Sequence, residues 1–175
     1  RNMSAEKGIK TIRLLSLLII LCSIYNFGYK VFLIQGDSMN PSHTEFDMVL
    51  IDRLSYDLDN PKRGDIIVCY DYLDQDFLIK RIIGIPGDTI EVIEGIIYVN
   101  GKEWKDKFTE TKIGALLTNG KGEVIKSSET GKVIYAYDNA LYDPLKEDEY
   151  WIIGDNRDYS WYGIIQKADI IGKLK

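Results

Sequence analysis

The sequence predicts a mainly β protein with one N-terminal membrane helix. After residue 33, short runs rich in Ile, Val and Tyr are separated by turn signals, and helical periodicity is nearly absent. Before that point, residues 14–33 form an apolar stretch that would be about 30 Å long as a helix, enough to cross a bilayer. Of the 175 residues, 45% are hydrophobic, so the chain can bury one core with a small appended lobe.

A basic segment precedes the apolar stretch and predicts its orientation. The charged residues of that segment are Arg1, Glu6, Lys7, Lys10 and Arg13. They sum to +3, whereas the whole chain carries -5, and basic residues mark the cytoplasmic side of a membrane helix. We therefore predict a cytoplasmic tail at 1–13, a transmembrane anchor at 14–33 and an extracytoplasmic domain at 34–175. A cleaved secretory signal and a buried core helix are the alternatives, although no small-x-small cleavage site ends the apolar run.

Alternating patterns between turns predict nine strands in the domain. They are 31–35, 48–52, 65–69, 77–83, 89–93, 96–99, 133–136, 150–153 and 170–173. The turn signals between them are Asn60-Pro61, Pro86-Gly87-Asp88, Glu94-Gly95, Asn100-Gly101 and Asn119-Gly120. Glu94-Gly95 separates two apolar runs, which makes 90–99 a hairpin candidate. From 102 to 149 the composition turns polar, so we predict a small inserted lobe there.

The first candidate site residue is Ser38, which follows a predicted strand in a segment that must turn sharply. The motif is Gly36-Asp37-Ser38-Met39-Asn40-Pro41. Gly36 lets the backbone approach a bound carbonyl closely, and the Ser38 amide can help to hold a developing oxyanion. The alternative is a turn serine that caps local backbone groups.

The second candidate is Lys80, which lies in the apolar strand 77–83. Strand alternation directs Lys80 and Arg81 to opposite faces. A lysine in a water-poor position loses proton affinity, as a general base near neutral pH requires, and it could then activate a serine hydroxyl. Considered alone, Lys80 is better explained as an edge-strand lysine that discourages aggregation.

A third motif follows the predicted strand 150–153. It is Gly154-Asp155-Asn156-Arg157-Asp158-Tyr159-Ser160. By itself it is typical of an Asx-type turn. Beside the other two motifs, it offers Asp155 as a carboxylate that could pair with Arg81, and the Ser160 hydroxyl, which could orient Lys80 through a hydrogen bond.

These motifs, with Arg63-Gly64-Asp65 and the segment from Lys80 to Asp88, resemble bacterial type I signal peptidase in the family's order and over nearly the whole chain. The resemblance implies an antiparallel, barrel-like β domain, held outside the bacterial cell membrane by one transmembrane helix. It implies an endopeptidase that removes signal peptides from exported preproteins, with Ser38 attacking the scissile carbonyl and Lys80 as general base. It implies neither a metal nor an organic cofactor.

The resemblance also implies where an extended substrate binds. Gly36, Asp37 and Met39 adjoin the nucleophile, and Met39 would help to line the pocket for the small residue before the cut. Leu78 and Ile79 lie on a strand that, with 31–35, would flank the substrate through backbone pairing.

Three positions depart from the family pattern. Ser160 is followed directly by Trp161, so a Ser-x-Asp-Ser-Arg segment is shortened and a supporting ion pair is lost. Gly36 offers no hydroxyl as an oxyanion donor, which leaves the Ser38 amide and water. His43, the one histidine, stands where an apolar pocket residue is expected, and we predict a pocket-rim or surface role for it rather than a catalytic one.

The shortened motif keeps a second function open: a weakly active or inactive accessory protein that assists the assembly of pilus or surface subunits. A self-cleaving repressor-type Ser/Lys peptidase is a third possibility, against which the apolar anchor counts. Nucleic-acid binding is not expected, because the chain lacks the basic surplus of such proteins.

Overall fold

The computed structural model describes residues 2–57, 59–72, 75–108, 113–116, 135–137 and 139–175. One helix is followed by short strands and a 3₁₀ turn at Lys167–Asp169. The helix and strands are α1 (Asn2–Gly28), β1 (Tyr29–Leu33), β2 (Met48–Asp52), β3 (Ile66–Asp71), β4 (Asp76–Gly84), β5 (Ile90–Ile93), β6 (Ile96–Val99), β7 (Lys102–Glu103), β8 (Gly114–Leu116), β9 (Tyr135–Tyr137), β10 (Ala140–Tyr142), β11 (Glu149–Ile153), β12 (Tyr162–Gln166) and β13 (Ile170–Leu174).

The described strands pair antiparallel in three sheets. The larger sheet has seven strands in the order β1-β2-β13-β3-β4-β11-β12, and a second has four in the order β10-β5-β6-β7. β8 and β9 form a separate pair. The mainly β, antiparallel fold predicted from the sequence is confirmed.

The N-terminal helix ends earlier than the predicted anchor. It ends at Gly28, and the next five residues form β1, which pairs with β2 from Tyr29↔Asp52 to Leu33↔Met48. The expected helical continuation through 29–33 is therefore wrong, because the backbone groups of this segment complete the sheet. The strand predicted at 31–35 begins and ends two residues earlier than expected. Among the described residues, no helix is both long enough and apolar enough to span a membrane.

The other predicted strands are present with small shifts at their ends, and 48–52 and 96–99 agree in both bounds. The pattern does not predict β7, β8, β10 or β12, since the first three have only two or three residues and β12 contains Gly163. The strand predicted at 133–136 overlaps β9, while 133, 134 and the Asn119-Gly120 turn lie outside the described residues.

Two predicted turns have the backbone geometry of tight hairpins. Glu94 and Gly95, between β5 and β6, have φ angles of 49° and 76°, and Asn100 and Gly101 have φ angles of 53° and 72°. Positive φ at both central residues defines a type I′ turn, whose twist matches that of antiparallel strands. The second turn leads into β7, and β10 pairs with β5, so one sheet combines the hairpin with strands from the predicted lobe.

The strand before the third motif is buried on both faces. Tyr150 and Ile152 of β11 pack in an apolar cluster with residues of β3 and β4. Trp151 and Ile153 point the other way and pack in a second cluster with residues of β5 and β6. An uninterrupted apolar run is expected where both faces of a strand are covered. β11 therefore joins the two main sheets and gives the following turn a rigid base.

The larger sheet curls so that β1 returns to β4. Three strands separate β1 from β4 in the sheet order, yet the ring centroids of Phe32 and Phe77 lie 5.4 Å apart in an edge-to-face contact. This is the curvature that a barrel-like sheet requires. It places the turn after β1 beside the middle of β4, where Lys80 lies.

Candidate active site

The turn that carries Ser38 follows β1 and is closed by its own backbone. The Asn40 amide donates to the Asp37 carbonyl at 3.0 Å, and the His43 amide donates to the Met39 carbonyl at 3.0 Å. Gly36 has a φ of 79°, a left-handed conformation that is strained for residues with a Cβ. The turn leaves Ser38 partly buried, so its hydroxyl is held within the protein while one side stays accessible.

Lys80 lies in the middle of β4 and is only 3% exposed, which is unusual for a lysine. Its Nζ lies 2.8 Å from the Ser38 Oγ, a hydrogen-bonding separation for either direction of proton donation. The structure therefore brings together the two residues that the sequence pattern pairs, although 41 residues separate them in the chain.

Burial lowers the pKa of Lys80 from 10.5 to about 8, because a buried ammonium loses its hydration. The nearby Cys69 thiol does not counteract this effect. Burial raises the pKa of Cys69 to about 12, so the thiol is neutral at physiological pH and cannot stabilise the ammonium as an anion. A substantial fraction of Lys80 is thus neutral near pH 8 and able to accept a proton.

Arg81 points to the other face of β4 and forms the ion pair that the sequence predicts. Its Nε and Nη2 donate to the two carboxylate oxygens of Asp155, both at 2.7 Å, and its Nη1 donates to the Gly64 carbonyl at 2.8 Å. The Asp155 hydrogen bonds raise the pKa of Arg81. A bidentate pair fixes both distance and orientation, so β4 and the turn after β11 are held together beside Lys80.

The turn after β11 also holds the Ser38 turn directly. The Asn156 amide donates to the Ser38 carbonyl at 3.1 Å, and its side-chain Nδ2 donates to the Asp37 carbonyl at 3.0 Å. A Cβ at Gly154 would overlap the Ser38 carbonyl oxygen, so only glycine permits this approach. Sequence reasoning assigns neither contact, because two turns far apart in the chain leave no periodic signal of their proximity.

Ser160 lies in the same turn, but among the described hydrogen bonds its hydroxyl makes none to Lys80. Its Oγ accepts a hydrogen bond from the Gly154 amide at 2.9 Å and donates to the Trp161 carbonyl at 3.0 Å. The expectation that Ser160 orients Lys80 is therefore not met, since the hydroxyl closes its own turn instead. The hydrogen bond of Lys80 goes to Ser38, and Ile67 of β3 lies opposite Lys80 in the sheet.

A groove with a volume of about 280 Å³ opens beside Ser38 and Lys80. One wall is formed by 32–35 at the end of β1, and the other by 76–80 of β4. β1 ends the seven-strand order, and β11 pairs with β4 only from Arg81 onward. Among the described strands, the groove side of 76–80 therefore has no partner, and an extended peptide could pair with it.

The residues predicted to bind substrate separate into two groups. Met39, Leu78 and Ile79 line the groove. Gly36 and Asp37 are exposed in the turn before Ser38 and do not line it, so their contribution is to shape the turn.

The position of His43 agrees with a role outside the catalytic pair. It is partly buried in the turn that follows the nucleophile, and it is not among the residues that line the groove.

The Ser38 amide donates no hydrogen bond to the parts of the chain that the structure describes, which leaves it available to an oxyanion.

A serine hydroxyl within hydrogen-bonding distance of a buried amine can carry out nucleophilic attack on a carbonyl, and the adjoining groove fits a peptide. These features define the chemistry of a serine endopeptidase.

The comparisons with known proteins give the family. The family model described as "Signal peptidase, peptidase S26" matches residues 8–175. Signal peptidase I U of Bacillus subtilis (strain 168) is 30% identical over 179 aligned residues, which cover 98% of this chain and 88% of the relative. Signal peptidase IB of Staphylococcus aureus (strain Mu50) is 28% identical, with 89% of this chain and 81% of the relative covered. The chain therefore belongs to the signal peptidase family, and it is a type I signal peptidase, a serine endopeptidase.

A solved structure is similar as well. The crystal structure of a signal peptidase I from Enterococcus faecalis V583 has 24% sequence identity, covers 67% of this chain and 98% of its own chain, and gives a TM-score of 0.46.

Proposed function

We propose that this protein removes N-terminal signal peptides from exported preproteins, with Ser38 as the nucleophile and Lys80 as the general base. The observation that carries the proposal is the 2.8 Å separation between Lys80 Nζ and Ser38 Oγ. Burial of Lys80, which lowers its pKa to about 8, supports the role of this amine as a base near neutral pH.

The proposed reaction has two halves. Neutral Lys80 accepts the Ser38 proton while Oγ attacks the scissile carbonyl carbon, and the Ser38 amide donates to the oxyanion that forms. The Lys80 ammonium then gives its proton to the leaving amine, and the signal peptide remains as an ester on Ser38. Water, deprotonated by Lys80, hydrolyses this ester and restores the hydroxyl.

The groove supports an extended substrate. A peptide between β1 and β4 would add a strand to both edges, so that backbone hydrogen bonds give affinity without requiring a particular sequence. Met39 and Ile79 line the groove beside Ser38 and limit the space for the residue before the cut. The resemblance to type I signal peptidase implies a small residue at that position.

We also propose that α1 anchors the domain to the bacterial cell membrane. Every Leu and Ile side chain from position 9 to position 21 is between 49% and 68% exposed. A run of this kind exposes more apolar surface than water-facing helices normally do, and the acyl chains of a bilayer would cover it. The basic residues at 1–13 favour a cytoplasmic N terminus, which would place the peptidase domain outside the cell.

The test of the catalytic proposal compares the detergent-solubilised protein with two variants, Ser38→Ala and Lys80→Ala. The substrate is a preprotein with Ala-x-Ala before the cleavage site, and the product is quantified on gels over time. Each variant should lose at least about a thousandfold in rate, because each residue takes part in both halves of the reaction. Lys102→Ala, which removes an exposed lysine of β7, is the matched control and should keep the wild-type rate.

Equal processing by all four proteins would exclude Ser38 and Lys80 as the catalytic pair. Binding of a pilus or surface subunit by an intact protein that cleaves no preprotein would favour the accessory function instead. The shortened motif after Ser160 is the observation that keeps this second function under test.

A further inference from the structure

A second buried ion pair lies behind the site, and the proposed reaction does not use it. Arg157 follows Asn156 in the turn after β11 and is only 2% exposed. Its Nη2 donates to Asp106 Oδ2 at 2.7 Å. A buried guanidinium is costly unless a carboxylate compensates its charge, so Arg157 depends on Asp106 for its position.

Asp106 is itself held firmly. It follows β7, and its carboxylate also accepts a hydrogen bond from Trp104 Nε1 at 2.8 Å and one from the Phe108 amide at 2.8 Å. A carboxylate with three such donors has little freedom to move. The segment after β7, at the edge of the four-stranded sheet, thus presents a fixed carboxylate to the turn that holds the nucleophile.

Phe108 connects the two arginines of the site. Its ring is 5% exposed, and its centroid lies 5.8 Å from the Arg157 guanidinium carbon and 5.4 Å from that of Arg81. Both distances fit cation–π contacts, which gain strength where water is excluded. Arg81 adjoins Lys80 and Arg157 adjoins Asn156, so one ring contacts neighbours of the base and of the nucleophile turn.

We propose that Asp106 and Phe108 form a brace that positions the catalytic pair, with Asp106 as a positioning residue that acts through Arg157. The proposal rests on the proposed function of Ser38 and Lys80. The brace holds the turn at 154–157, and Asn156 in that turn holds the Ser38 and Asp37 carbonyls. A displacement of about 1 Å in a reacting group can cost a hundredfold in rate, so loss of the brace lowers kcat.

The experiment uses the full chain in detergent and measures kcat and KM with the same preprotein. The variants are Asp106→Asn, Arg157→Gln and the double variant, and Asp143→Asn is the matched control because Asp143 is exposed. Urea unfolding identifies conditions in which each protein is fully folded. We expect Asp106→Asn to lose tenfold or more in kcat with less than a twofold change in KM, since the groove itself is intact.

The double variant tests whether the two residues act as one unit. It carries no unpaired buried charge, and we expect its kcat to be no lower than that of the worse single variant. If a single variant does not fold, the kcat of the folded double variant decides: a tenfold loss supports the brace, and a wild-type value overturns it.

Other outcomes separate this inference from the proposed function. Suppose that the wild type cleaves the preprotein, that Ser38→Ala does not, and that folded Asp106→Asn keeps the wild-type kcat. This result would overturn only the brace. If the losses in kcat of the two single variants multiply in the double variant, Asp106 and Arg157 act independently. That result would also overturn the brace. Equal cleavage by wild type and Ser38→Ala would instead overturn the proposed function.

Discussion

Lys80 combines burial with a hydroxyl partner, and these two properties determine its chemistry. Burial removes the hydration that an ammonium needs, whereas the Ser38 hydroxyl offers no negative charge to replace it. The side chain therefore releases its proton far more readily than an exposed lysine does. The apolar neighbours of Lys80 in the chain predict this burial, but the identity of its partner comes only from the folded chain.

The pH dependence of the reaction follows from the lowered pKa of Lys80. Below about pH 8 the amine is protonated and cannot accept the Ser38 proton, so kcat/KM should rise about tenfold per pH unit up to pH 8 and then level off. The measurement is kcat/KM for a preprotein from pH 6 to 9.5. Cys69→Ala should keep the same midpoint, because burial keeps the thiol neutral over this range.

A different profile would identify another base. An inflection that disappears in His43→Gln would assign the role to His43 and contradict the Lys80 mechanism.

At the scale of the element, the turn after β11 contacts both β4 and the Ser38 turn. Asp155 binds Arg81, Asn156 binds the Ser38 turn, and Arg157 binds Asp106. β11 is buried on both faces, so these contacts start from a rigid strand. The shortened sequence after Ser160 thus leaves the Arg81 ion pair in place.

Gly154→Ala tests the contact between this turn and the nucleophile. The added Cβ would overlap the Ser38 carbonyl oxygen and the Ser160 Oγ, and backbone atoms cannot move aside as a flexible side chain does. We expect kcat to fall about a hundredfold or more through displacement of Ser38. Stopped time courses with a preprotein give the rate. Gly8→Ala, whose Cβ would meet nothing within 4 Å, should react as the wild type does.

Wild-type kcat in Gly154→Ala would show that the Ser38 turn tolerates a shift, and that the close contact does not set its position. Circular dichroism of both variants separates this result from a failure to fold.

At the scale of the whole molecule, α1 and the β domain differ in how their apolar side chains are placed. In the domain, Ile82 and Ile83 of β4 and the apolar residues of β11 fill clusters that are closed to water. In α1, the Leu and Ile side chains from position 9 to position 21 are about half exposed or more. This difference is the basis for proposing that lipid covers the helix while the domain stays in water.

Membrane binding can be measured by flotation of the full chain with vesicles that contain phosphatidylglycerol. Leu18→Arg places a charge in the apolar run, where insertion of arginine costs about 2.5–3.5 kcal/mol. The partition coefficient of this variant between vesicles and water should therefore be at least tenfold lower than that of the wild type. Leu141→Arg, at a position 69% exposed in β10, should bind as the wild type does. A wild-type chain that stays unbound would contradict the anchor.

The sequence by itself predicts most strands of the domain, because turn chemistry and alternation are local. Glu94-Gly95 and Asn100-Gly101 are found as type I′ turns, and 48–52 agrees in both bounds. Local signals are weaker where an element is short or where neighbours override it. Residues 29–33 continue an apolar run, yet they form β1 because β2 offers backbone partners.

The motifs together also predict Ser38 and Lys80 as the reactive pair and an ion pair between Arg81 and Asp155, and the structure brings the members of each pair into contact. Only the tertiary structure decides which contacts they make. It places Ser160 on its own turn rather than on Lys80, and it brings Asn156 to the Ser38 turn and Asp106 to Arg157. The curvature of the larger sheet and the burial of β11 bring segments dozens of residues apart into contact. Local sequence patterns do not predict such long-range contacts.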